Sequence, residues 1–147
     1  MKSNTANRWG ISNEPTQEHL VNLIEVSNNV FQLIRDHFGS AITVSSGYRS
    51  KDLNRVLKGS KTSQHCLGEA LDLDNDAREY PTNAQIFKYI KDNLIFDQLI
   101  WEFGDDKNPN WVHVSYVDPS RKGRANRLQI LTAKRNSKGK TYYEPYS

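Results

Sequence analysis

Apolar residues recur near helical spacing at Leu20, Leu23, Ile24, Val30, Phe31, Leu33, Ile34 and Phe38, which predicts one long amphipathic helix over 16–38, capped by Thr16 and ended by Gly39. The pattern then changes period. AITVS, 41–45, reads as a short strand that runs into a turn at Gly47. Residues 50–57 suit a short helix, and GSKTSQH is a polar loop. In EALDLD the alternation places Leu71 and Leu73 on one face of a strand, and Ala70, Asp72 and Asp74 on the other. A second helix is expected over 82–94. It precedes a hairpin of DQLIWEF and WVHVSY around the turn-rich loop GDDKNPN. Residues 127–133 and 140–143 suit a last pair of strands. The expected fold class is therefore α+β, with helices packed on a mostly antiparallel sheet.

No repeat, linker or low-complexity segment interrupts this pattern, and 147 residues suffice for one core, so 1–147 reads as a single domain. Fifteen aromatic residues (3 Trp, 7 Tyr, 5 Phe) argue for a packed chain despite 25% charged residues. The lone cysteine, Cys66, has no internal partner, so no disulfide framework is expected. No stretch has the apolar length of a membrane helix, and the N-terminus lacks the apolar run of a signal peptide. The net charge of +3 is uneven: segment 120–147 carries eight Lys or Arg against one acid, Glu144, while the remainder holds 12 basic and 16 acidic residues. A basic end of this kind suits either a polyanionic partner or a solvated hairpin.

Candidate chemistry lies in the strands. His65 sits in a loop leading through Gly68 into the strand of Asp72, and His113 comes from a different strand. Such a set suits a catalytic zinc ion, which takes three nitrogen or oxygen ligands and keeps one position for water. Taken singly, each residue also has a commonplace reading, as a packed histidine or a surface acid. Cys66, next to His65, reads better as a buried, inert thiol than as a ligand. Asp72, Asp74 and Asp76 suggest a calcium loop, but Ala77 and Asn83 occupy the positions where that loop needs Gly and Glu.

The segments SGYRS, SQHCLGEALD and WVHVSY occur in an order that resembles peptidase family M15, the zinc D-Ala-D-Ala carboxypeptidases and L-alanyl-D-glutamate endolysins. The middle segment matches that family's S-x-H-x-x-G-x-A-x-D pattern at Ser63, His65, Gly68, Ala70 and Asp72, and the resemblance extends over 15 to about 133. It implies the zinc DD-peptidase (hedgehog-like) fold, one Zn2+ per chain on His65, Asp72 and His113, and Arg49 as the cation that steadies substrate and developing negative charge. Tyr48, Ser63, Trp111 and Ser115 are the expected substrate-binding or supporting residues. The implied substrate is a stem-peptide bond of bacterial peptidoglycan, with no nucleic-acid partner, no membrane insertion and a monomeric state. The missing signal peptide adds an expectation of cytoplasmic accumulation, as for a phage or prophage lysin.

In the better-known relatives a catalytic glutamate precedes the last histidine by three residues, where this chain has Asn110. An amide cannot accept a proton from water, so the base must lie elsewhere. Hydrophobic patterning of the hairpin nominates Glu102. A register with Phe103 opposite Val112, Trp101 opposite Val114 and Glu102 opposite His113 keeps the carboxylate off the valine face, where burial would cost several kcal/mol. Two other classes compete: a non-catalytic wall-binding or virion module that keeps zinc for folding, supported by Asn110, and a nucleic-acid binder, supported by the basic end alone.

Overall fold

The computed structural model describes residues 3–147. A short helix, α1 (Asn4–Trp9), precedes the long one. The latter is present with one change of gauge: α2 (Gln17–Val26) passes through a π-helical turn (Ser27–Phe31) into α3 (Gln32–Phe38). Thr16 caps it, its hydroxyl accepting from the His19 amide while the His19 ring accepts from the Thr16 amide. Gly39 ends it at φ 60°. Only Val26, Val30 and Ile34 are fully buried, a ridge of three residues spaced four apart, whereas Leu20, Ile24 and Leu33 are exposed. A helix lying on one sheet meets it along a single ridge, so the outer part of a wide apolar arc stays in water.

The remaining elements are β1 (Val44–Ser46), α4 (Lys51–Val56), β2 (Ala70–Leu73), α5 (Asn83–Asn93), β3 (Gln98–Glu102), β4 (Trp111–Ser115), α6 (Pro119–Lys122), β5 (Gln129–Arg135) and β6 (Thr141–Pro145). α1 and α6 escape the hydrophobic pattern because neither is long enough to show a period. Six strands form one mixed sheet in the order β1-β2-β4-β3-β5-β6, antiparallel except where β5 runs parallel to β3. The chain is thus α+β, with a mostly antiparallel sheet, as the alternation implies.

The two faces of this sheet have different tasks. Leu71, Leu73, Leu99, Trp101, Val112 and Val114 point to the helices and form the core with Val26, Val30, Ile34, Ile86, Phe87 and Ile90. Each such side chain contributes about 1.5–3 kcal/mol by leaving water. Asp72, His113, Ile100 and Leu131 pair in a row across β2, β4, β3 and β5, so their side chains share the opposite face.

The hairpin register keeps Glu102 on that opposite face but shifts the partners by one pair. Trp101 lies opposite Val112, Leu99 opposite Val114, Ile100 opposite His113, and Glu102 opposite Trp111. Glu102 is therefore diagonal to His113, two positions along the same face, and does not stand directly across from it. Phe103 supplies the physical reason. Its φ of 56° breaks the alternation and turns its ring onto Trp111, with centroids 5.4 Å apart, so it is not available to pair with Val112. Trp101 takes that place, its indole N–H donating to the Asp105 carbonyl at 3.0 Å. Among the described residues no helix is long and apolar enough to cross a membrane.

Candidate active site

Ser63 starts the site. Its hydroxyl accepts from the His65 amide at 3.2 Å and begins a 3-10 turn (Gln64–Leu67) that ends at Gly68. Gly68 holds φ 77°, and a Cβ there would stand 2.5 Å from the His19 carbonyl oxygen, so the motif needs glycine on two counts. The turn buries His65 and sets its ring against the Gly47 carbonyl, with Nδ1 2.7 Å from that oxygen. Protonated Nδ1 donates to Gly47 and leaves the lone pair of Nε2 free.

Strand β2 brings Asp72 to the same point, and its pairing with β4 sets His113 beside it. Asp72 Oδ1 lies 3.1 Å from His65 Nε2 and 3.1 Å from His113 Nδ1, and the two rings meet edge to face at 5.1 Å. One ligand atom from each of the three residues falls within 4.8 Å of the others. His65 Nε2 and His113 Nε2 are buried without a hydrogen-bond partner. His65 Nε2 and His113 Nδ1 converge on one oxygen of a buried carboxylate, an arrangement that suits a cation, and this donor set suits zinc. Burial opposes the charge on Asp72, but the imidazoles of His65 and His113 outweigh it and hold the carboxyl well below the usual range. A permanently ionised carboxylate is what a metal ligand requires.

Glu102 has the opposite character. It is 7% exposed, and burial, reinforced by the negative charge of Asp72, pushes its carboxyl up to about 7 against the pull of His113, Arg49 and Arg135. Two carboxylates on one face are thereby divided, one fixed as an anion and one able to exchange a proton near neutrality.

Arg49 follows the turn after β1; its amide donates to the His65 carbonyl at 3.0 Å, and its buried Nε lacks a partner. Its charge acts on both Glu102 and the phenol of Tyr143. Trp111 stands half-buried opposite Glu102. Ser115 is fully buried and accepts from the Gln98 amide at 3.0 Å, so it braces the hairpin away from the opening. Tyr48 is buried, its ring stacked on His19 at 4.8 Å, and likewise braces its turn. Cys66 is buried and lies outside the cluster of possible ligands, and burial raises its thiol pKa. Asp74 and Asp76 accept from Asn83 and Asn108.

The model of the Peptidase M15 family matches residues 1–115. The chain belongs to that family. M15 members are zinc peptidases, and His65, Asp72 and His113 form a possible metal site of the corresponding kind. No curated protein matches the chain.

Several features near the site escaped the sequence pattern. Tyr143 lies on β6 opposite Ala133, which lies opposite Glu102, so strand alternation carried to the last hairpin reaches it. Burial and the charges of Glu102 and Asp72 raise its phenol pKa. Asp97, fully buried just before β3, accepts from Arg124, Arg127 and Gln64 at 2.7–3.1 Å. Burial opposes its charge, yet these donors hold its carboxyl well below the usual range. With Lys122 on Glu69 and Lys134 on Glu144, four of the eight cations of the basic segment are ion-paired within the chain.

Proposed function

We propose that this chain is a zinc-dependent peptidase that hydrolyses a stem-peptide bond of bacterial peptidoglycan, either terminal D-Ala-D-Ala or internal L-Ala-D-Glu as in phage endolysins. The observation that carries this reading is the pairing of the His65–Asp72–His113 cluster with a carboxyl of pKa about 7, Glu102, on the same sheet face. Zinc held by those three side chains supplies electrophilic activation of a carbonyl and of a water molecule. Glu102 accepts the proton of the attacking water and returns it to the departing amine; a pKa near the working pH suits both transfers. The Arg49 guanidinium steadies a substrate carboxylate or the developing oxyanion. Trp111 offers an apolar wall beside Glu102 for the peptide.

Mass spectrometry of peptidoglycan digested by zinc-loaded protein tests the reading, because the mass and end group of each fragment identify the bond broken. New amino groups are expected from the native chain. His65→Ala is expected to lose both metal and activity while remaining folded. A native chain that holds one zinc and releases no fragment would instead be a non-catalytic wall-binding module, the reading that Asn110 favours.

A further inference from the structure

The cleft face of the sheet continues beyond Glu102 onto β5 and β6, past the residues matched by the family model. Trp111, Glu102, Ala133 and Tyr143 stand on one line across four strands. Arg135 is two positions along β5 from Ala133 and therefore shares that face. Its guanidinium carbon lies 4.4 Å from the centre of the Phe103 ring, which in turn packs on Trp111.

Among the described residues no ion pair includes Arg135, Arg121, Lys138 or Lys140, and two observations set Arg135 apart from the other three. The ring beneath it is brought there by a left-handed φ of 56° at a phenylalanine, a conformation that a side chain of this size adopts only when its surroundings impose it. Its charge also reaches the carboxyl of Glu102, as does that of Arg49, so Glu102 feels two guanidinium groups from different elements. A guanidinium stacked by its flat side on an aromatic ring keeps its N–H edge for a planar, bidentate acceptor.

We infer that Arg135, stacked on Phe103 beside Trp111 and flanked by Tyr143, is a specificity determinant that takes a carboxylate carried by the substrate residue next to the scissile bond. The inference rests on the peptidase reading for its substrate class and adds that β5 and β6 form the outer wall of the cleft. Two stem tripeptides separate the possibilities: L-Ala-γ-D-Glu-L-Lys, and the same peptide with the glutamyl α-carboxylate converted to a carboxamide. Calorimetry on the metal-free protein reads binding without turnover. The native chain is expected to bind the acid about fivefold more tightly than the amide, as for a partly exposed ion pair. Arg135→Gln is expected to bind both alike, and Arg135→Lys to keep part of the preference.

Equal affinity of the native chain for the two peptides, no measurable binding of either, or an unchanged preference in Arg135→Gln would each overturn the proposal. A preference that vanishes in Arg135→Gln while zinc-loaded protein cleaves neither peptide nor peptidoglycan would sink the peptidase reading and leave the carboxylate subsite standing.

Discussion

Replacing Glu102 by glutamine tests whether the fold sustains a cost to keep a carboxyl in the cleft. In the unfolded chain this group titrates near 4.5, and in the folded chain near 7. Between those values the folded state retains a proton that the unfolded state has released, so native stability falls as pH rises across the window and levels above it. A shift of this size corresponds to roughly 3 kcal/mol at about 1.36 kcal/mol per unit. Glutamine has nearly the same shape and no charge to bury. Urea unfolding of metal-free protein at several pH values should find Glu102→Gln and the native chain alike near pH 4.5. Between pH 5 and 7 the variant should gain steadily, reaching an advantage of roughly 3 kcal/mol above pH 7. A difference that stays flat with pH would refute the account of Glu102 as a carboxyl strained by burial. With zinc restored, the same variant should keep its metal and lose turnover by about 10²–10⁴-fold; near-native turnover would assign the base elsewhere.

Two further substitutions probe the support of the site. Asp97→Ala strands Arg124, Arg127 and Gln64 around a buried gap, and a loss of roughly 3 kcal/mol in denaturant unfolding is expected. Because Gln64 adjoins His65, zinc titration of that variant should also show about tenfold weaker binding; native affinity would deny the coupling. Gly68→Ala must place a methyl group 2.5 Å from the His19 carbonyl at φ 77°. It should lower stability by about 2 kcal/mol in the same unfolding assay, and a neutral effect would mean that the turn can relax.

The legible parts of this chain were those set by period. Alternation in ALDL and WVHVS by itself places Asp72 and His113 on the non-core face, and the same logic keeps Glu102 off the valine face. Alternation fixes which face a residue occupies, but not how far one strand slides along its neighbour in steps of a whole pair. That step depends on Phe103, whose left-handed backbone turns its ring to Trp111; nothing in the letters FG announces it. The buried ridge of the long helix was blurred for a related reason. Leu20, Ile24 and Leu33 satisfy helical spacing as well as Val26 does, and only the position of the sheet decides among them. The bulk charge of 120–147 does not show that Lys122, Arg124 and Arg127 are paired, since their carboxylate partners, Glu69 and Asp97, lie far back in the sequence.

The carboxylate of Asp97 also bears on how this protein can be dissected. A fragment cut at residue 115, where the family match ends, would retain every proposed zinc ligand and Glu102. It would also retain Asp97 without its partners Arg124 and Arg127, and would leave unpaired the edge of β3 that β5 covers. Such a fragment should fail to fold despite its complete set of reactive groups. A transplant of this cleft into another protein would therefore have to carry β5 and its preceding loop, because the smallest cooperative unit is larger than the smallest recognisable one.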